Sequence, residues 1–257
     1  MLLWEYLRWH SRSVRHPKIQ DPQIYKLVCE NWPLPLPDKE NNLIRTTFQG
    51  YLVNTSPLPE GMDWGAGPRA IKPPRTVRDV ARRSSITPAK GRILFQTVRT
   101  LKPGRILELG TSLGLSTLYL ALANPESRII TVEGHAGLAS LAQDTFHRLG
   151  LAHVEVWNGT FEEMLPKAMQ TFGGVDFALI DGDHTYLSTI KNIDYIIANS
   201  RPPFALAVDD IRWSSEMLAA WRQIQQNAFL RLHLDLFNLG LSFCRNYPAQ
   251  ETWNVRI

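Results

Sequence analysis

Residues 105–114 read Arg-Ile-Leu-Glu-Leu-Gly-Thr-Ser-Leu-Gly: an apolar strand, a glycine turn and the start of a helix. Gly110 and Gly114 bracket the turn, and a missing side chain lets backbone come close to a ligand. An acid, Glu108, stands on the strand just before the turn. A strand–turn–helix that cradles a pyrophosphate avoids negative charge there, because the helix start recruits anions. A turn that holds a cationic group can use it. The dinucleotide fingerprint Gly-x-Gly-x-x-Gly also fails, since position 112 is Ser and position 115 is Leu.

Further acids recur where later strands end. Glu133 closes a second apolar strand, and an acid there can accept hydrogen bonds from both hydroxyls of a ribose. Asn158-Gly-Thr160 follows a third strand, and its small residues and Asn158 suit an adenine edge. Asp181 ends a fourth strand in Leu179-Ile-Asp-Gly-Asp-His-Thr-Tyr186. A nucleoside cofactor with a positive end and no phosphate fits this series, which points to S-adenosylmethionine (SAM). The candidate cofactor-binding residues are Glu108, Gly110, Thr111, Ser116, Glu133, Gly134, Gly159, Thr160 and Asp181.

A second constellation could act on an acceptor. Asp181, Asp209 and Asp210 offer carboxylate oxygens for a hard divalent cation such as Mg2+, which would lower the pKa of an acceptor hydroxyl. Alternatively, Asp209 and Asp210 cap the helix that begins near Ser214, and Asp183 stabilises its own turn. His184 is a candidate general base, with Asp181 beside it; a role in positioning substrate is the alternative. Trp213 and Tyr186 could stack on an aromatic acceptor or simply pack.

These residues need a frame of alternating strands and helices. Strands are predicted at 105–109, 128–133, 154–157, 177–180, 204–208, 231–237 and 241–245. Helices are predicted at about 89–101, 115–123, 137–149, 161–170, 187–198 and 214–227. Such alternation implies right-handed crossovers and a parallel sheet. Only Asn238-Leu-Gly240 joins the last two strands, so the final strand should run antiparallel. The fold class expected is α/β: a doubly wound, Rossmann-like seven-stranded sheet with an antiparallel last strand, plus an N-terminal helical and irregular extension. The division is residues 1–84, a cap, lid or oligomer contact, and residues 85–257, the sheet domain.

The extension differs in texture. An amphipathic helix is predicted over 2–14, with Leu3, Tyr6 and Leu7 on one side. It would dock on the domain or on a second copy in a homodimer. Pro33, Pro35 and Pro37 enforce an extended segment. Asp63–Arg69 forms a glycine-rich turn, and Thr76–Arg83 a basic helix.

Composition narrows the class. Hydrophobic residues make up 44% of the 257 and charged residues 20%, which is ordinary for a globular protein. No run of about 18 apolar residues exists, so no membrane span is expected. Glu5 and Arg8 fall too early for a secretory apolar core, and two distant cysteines form no disulfide framework, so a cytoplasmic setting is expected. The net charge of +4 is concentrated before residue 106. That raises nucleic acid as a partner, but no aromatic-rich RNA motif or zinc pattern accompanies it; a small-molecule acceptor is the preferred partner.

Ile106-Leu-Glu-Leu-Gly-Thr-Ser-Leu-Gly-Leu-Ser-Thr-Leu-Tyr119, with Val132-Glu133 and Ile180–Tyr186, resembles the class I SAM-dependent methyltransferases, and within them the branch of catechol and caffeoyl-CoA O-methyltransferases. The resemblance spans about residues 84–257. Ser84–Gly91 resembles the segment that closes over SAM in that branch, and Asp63–Arg69 with 208–217 resembles a group of uncharacterised bacterial methyltransferases. It implies that Glu108 and Gly110 lie beside the methionine part of SAM, that Glu133 binds ribose and that Thr160 contacts adenine. It further implies that Asp181 is the first metal ligand, with Asp209 and Asp210 at the Asp-Asn pair that completes the site. Two departures stand out: Asp210 replaces the asparagine, and His184 replaces a catalytic lysine. The activity implied is methyl transfer to an oxygen of a small molecule. The alternatives are a nucleic-acid or protein methyltransferase, or a non-catalytic SAM-binding protein. Ile-Asp-Gly-Asp after the fourth strand is not the Asn-Pro-Pro-Tyr type of motif that serves base amination.

Overall fold

A computed structural model describes residues 2–58, 76–244 and 250–257. The expected turn at Asp63–Arg69 lies outside the described residues. Five parallel strands form the heart of the sheet: β1 (Arg105–Leu109), β2 (Arg128–Glu133), β3 (Val154–Asn158), β4 (Phe177–Ile180) and β5 (Phe204–Asp209). In β1, β2, β4 and β5 the β-branched and apolar runs are largely buried on both faces, as a sheet covered by helices on each side requires, whereas the edge strand β3 is only partly buried.

The C-terminal part departs from the expected seven strands. β6 (Leu232–Asp235) and β7 (Leu239–Cys244) form the antiparallel hairpin, with β7 inserted between β5 and β6. An eighth strand, β8 (Glu251–Asn254), then adds parallel to β6, giving the order β3-β2-β1-β4-β5-β7-β6-β8. The last strand is therefore parallel to its neighbour, and the antiparallel one is β7. Gly240, expected in the hairpin loop, is inside β7, paired with Val208 and Asp235, and the Trp221 ring lies where a Cβ would stand.

Strand alternation sorts the core into two layers. Ile106, Ile129, Phe177 and Leu179 face one layer with Leu94, Val98, Leu118 and Phe146. Leu107, Leu109, Ile130 and Ala178 face the other with Leu165, Ile193, Ile196 and Trp221. Fully burying one such aliphatic side chain contributes about 1.5–3 kcal/mol. The first layer is covered by α5 (Pro88–Leu101), α6 (Leu115–Ala123) and α7 (Ala136–Arg148), and the second by α8 (Phe161–Phe172), α9 (Tyr186–Ala198) and α10 (Ser215–Ile224).

The N-terminal residues share that core. α1 (Leu2–Arg12) precedes α2 (Pro22–Lys26), which runs into a π-helical turn at Leu27–Asn31. Ile24, Leu27 and Trp32 join the first layer, and Trp32 Nε1 donates to Thr97 Oγ1 on α5 at 3.0 Å. After the extended prolines comes α3 (Asp38–Val53), a helix not expected from the sequence. The basic helix expected at 76–83 is α4 (Val77–Ser84), closed by a capping box between Thr76 and Asp79. Trp9 is buried, whereas Leu3 and Leu7 are exposed and Tyr6 is only partly covered. Trp9 Nε1 donates to the Asp235 carbonyl, which fixes that side inward. Among the described residues no helix is long and apolar enough to cross a membrane, and Cys29 and Cys244 are both free thiols.

Candidate active site

A cavity of about 1120 Å³ opens over the C-terminal ends of the parallel strands, where doubly wound sheets hold their ligands. Following the sheet order, its wall runs from Glu133 and Thr160 through Gly110 and Asp181 to Asp209, and on to Phe237 and Leu239. Gly110, Thr111, Ser116, Glu133, Gly134, Gly159, Thr160, Asp181, His184, Asp209 and Asp210 all line it. The sequence reading placed each of these at a ligand, and the structure brings them to one wall.

The glycine turn needs its glycines. Gly110 has φ +106°, and a Cβ there would stand 2.2 Å from the Asp181 carbonyl oxygen. Gly114 has φ +77° and precedes α6, with the Phe146 ring where a Cβ would point. Between them Thr111 Oγ1 shares a 2.6 Å hydrogen bond with Thr131 Oγ1.

Glu108 is the residue whose surroundings differ most from expectation. Alternation along β1 turns it to the face of Ile106, beneath α6, and it does not line the cavity. Its Oε2 accepts from Thr117 Oγ1 at 2.5 Å and from Thr131 Oγ1 at 2.6 Å, while Oε1 has no partner among the described residues. Burial pushes its pKa up, against the hydroxyls that hold it down. The acid therefore lies behind the glycine turn, off the cavity wall.

Glu133 is fixed by backbone. Oε2 accepts from the Ser112 N–H at 2.7 Å and Oε1 from the His135 N–H at 2.8 Å. This orients the carboxylate at the cavity wall. Asn158 is absent from that wall; its amide donates to the Glu133 carbonyl at 2.8 Å and ties β3 to the loop after β2. Thr160 caps α8, its hydroxyl accepting from Glu163 N at 3.2 Å.

The aspartate cluster carries a cation of the protein's own. Lys90 Nζ lies 2.5 Å from Asp209 Oδ1 and 2.8 Å from Asp210 Oδ1. Burial and the neighbouring Asp209 and Asp210 charges push Asp181 well above the usual carboxylate range. Burial also raises Asp209, while Lys90 opposes it. Burial alone would lower the Lys90 pKa, but the two aspartates outweigh it and raise it. Among the described residues no three His, Cys, Asp or Glu side chains are placed to hold a metal ion together.

Backbone strain gathers on the same wall. Ser112, Asp183, Asp210 and Phe237 are non-glycine residues with φ between +50° and +71°, and all four line the cavity. Such conformations cost about 1–3 kcal/mol each and persist where surrounding structure dictates them. Two expected partners separate here. Trp213 lines the cavity with its ring 6.3 Å from that of His184, but Tyr186 instead directs its hydroxyl to Gln223 on α10.

Three features escaped the sequence reading. Lys90 lies in the Ser84–Gly91 segment, but its pairing with Asp209 and Asp210 was not expected, although a lysine in the first turn of a helix opposes the dipole and signals a partner. Tyr6 and Trp9 reach the cavity from α1, packing on Phe237 at centroid distances of 5.2 and 5.5 Å. Arg256 and Ile257, after β8, complete that side.

Residues 107–211 match the family model described as a methyltransferase domain. That stretch of the chain is similar to methyltransferase domains. A catechol O-methyltransferase of Niastella koreensis is 30% identical over 130 residues, which cover 49% of this chain and 58% of that protein. One of Mycobacterium tuberculosis is 30% identical over 139 residues, covering 53% and 61%. The chain thus spans less than two thirds of the length of the curated relatives it matches. Among solved structures, the O-methyltransferase of Bacillus cereus in complex with S-adenosylhomocysteine (SAH) superposes with a TM-score of 0.57 at 18% identity, over 82% of this chain and 93% of that one. The chain therefore shares that α/β fold.

Proposed function

We propose that this chain is a SAM-dependent O-methyltransferase acting on a small molecule. The supporting observation is one continuous cavity whose β2–β3 side offers an oriented carboxylate, Glu133, and whose β5–β7 side offers charged and aromatic groups. In this reading Glu133 accepts from the ribose hydroxyls, and Gly159 and Thr160 border the adenine. Gly110, Thr111, Ser116, Gly134 and Asp181 surround the amino-acid part, with Glu108 supporting the turn from behind. Bound SAM supplies a methyl group on a sulfonium, open to in-line attack. The protein's contribution is alignment and exclusion of water, with His184 as the base that takes the acceptor's proton.

Residues 1–84 act as a cap on the unit formed by 85–257, since α1 and α4 both supply cavity wall. Trp213, Tyr6 and Phe237 suit a flat, aromatic acceptor, in keeping with the catechol O-methyltransferases among the relatives. The expected divalent ion does not fit the arrangement as it stands. Two of the three aspartates share one ammonium, and no step here runs through a metal. The expected self-association would use the outer face of α1, where Leu3, Trp4 and Leu7 are exposed; sedimentation tests that.

Calorimetry with SAH tests the central reading. Wild type should bind, and Glu133→Ala should bind about tenfold more weakly or worse, since hydrogen bonds to a charged acceptor contribute about 1.5–3 kcal/mol. No heat of binding with the wild type would remove the proposal.

A further inference from the structure

Lys90 stands in the first turn of α5, where the helix dipole disfavours a cation. Its side chain and that of Asp209 are largely buried. An ammonium drawn out of water in this way requires charged partners, and it has two, Asp209 and Asp210. An ammonium carries three N–H donors. Two are engaged by the aspartates, and Lys90 itself lines the cavity beside Asp181 and His184. Asp210 reaches the ammonium from a left-handed backbone, φ +53°, and its own N–H donates to Asp209 Oδ1 at 2.8 Å. The lysine is thus held from two adjacent residues at the end of β5, with one donor left for a ligand.

We propose that the Lys90 ammonium is the resident cation of the acceptor site. It binds the acceptor's oxygen through its third N–H, in the place that a divalent ion would otherwise take. The inference rests on the methyl-transfer reading given above. In the step, the acceptor hydroxyl gives its proton to the His184 imidazole, and an oxygen lone pair forms the new O–C bond. The S–C bond breaks with its electrons left on sulfur. Lys90 stays protonated throughout and stabilises the charge that builds on oxygen.

The test has two arms. In the first, wild type and Lys90→Ala, each saturated with SAH, are dialysed against Mn2+ and the bound metal is counted. The expected result is no uptake by wild type and uptake of one ion by Lys90→Ala, where loss of the ammonium lets Asp181, Asp209 and Asp210 close around the ion. Stoichiometric uptake by wild type overturns the proposal. So does absence of uptake by both proteins, because the lysine would then not be what keeps a divalent ion out.

In the second arm, labelled SAM is turned over against a panel of catechols and phenolic acids in the presence of chelator. Wild type should remain active, and Lys90→Ala should lose about 100-fold or more in rate with its SAH affinity unchanged. Turnover that appears only when Mn2+ is added defeats the lysine's role. A wild type that binds no SAH defeats the underlying methyl-transfer reading instead, so the two failures are told apart.

Discussion

Tyr51 reaches from α3 into the glycine turn, donating its phenolic hydrogen to the Leu113 carbonyl at 3.0 Å and sharing a 2.8 Å hydrogen bond with Thr145 Oγ1 on α7. The tyrosine is buried, and burial pushes its pKa up, so it remains a donor. An N-terminal helix thus fastens the loop between Gly110 and Gly114. Tyr51→Phe should leave the buried Leu113 carbonyl unpaired and cost about 1–3 kcal/mol. Urea denaturation reads the loss; a change below the error of the fit would show that the turn holds itself.

Gly110→Ala should be far more damaging than its single methyl suggests. The φ of +106° resists an L side chain, and the new Cβ would run into the Asp181 carbonyl 2.2 Å away. The expected loss is about 3 kcal/mol or more, at the upper end for a point substitution. Gly150→Ala is the control: φ is +71° but nothing lies within 4 Å of its Cβ position, so about 1 kcal/mol is expected. Equal losses at the two sites would refute the steric account.

Arg212 and Asp235 form a buried bidentate pair at 2.8 Å. Asp235 also accepts from Trp221 Nε1 and the Phe237 N–H, so one carboxylate holds the aromatic wall of the cavity. Arg212→Met removes the cation and strands a buried charge, at a cost of about 3–5 kcal/mol. Thermal unfolding measures it, and a loss under 1 kcal/mol would mean that the pair behaves as an exposed one.

His233 sets an acid limit. It is fully buried between Ser242 Oγ and Gln250, and burial lowers its pKa to about 4. The unfolded chain binds this proton near pH 6.5, so stability is intact above that value. It falls as pH drops towards 4, by about 3 kcal/mol for this group alone. His233→Gln should flatten that part of the stability profile relative to wild type. Parallel profiles for the two proteins would rule out this histidine as the source.

Much of this was legible in the sequence, for local reasons. β1 to β5 are short apolar runs bounded by turns, and the acids at their ends stand where a parallel sheet opens. Three features were not legible. α3 contains Asn41, Asn42, Thr46, Thr47 and Gly50, whose weak propensities hide a helix that tertiary contacts support. β8 has four residues on a half-buried edge and no apolar alternation. Lys90 looked like one of many surface cations, because its partners lie 119 and 120 residues away in the chain. Glu108 shows the converse limit. Its chemistry suggested that it faces a cationic ligand directly or through water, but the two-residue period of β1 sends it under α6 and off the cavity wall.

The aromatic side of the cavity has one more consequence, for the order in which the protein is made. Trp9 bonds to Asp235, His10 to Arg256 and Val14 to residues 254 and 256. A ribosome releases the first of these partners long before the second exists, and domains take shape from the N-terminal side as synthesis proceeds. The sheet from β1 to β5 can therefore assemble while α1 still waits. The aromatic side of the cavity closes after that sheet, and Trp9 stays exposed until residues 235–256 have emerged.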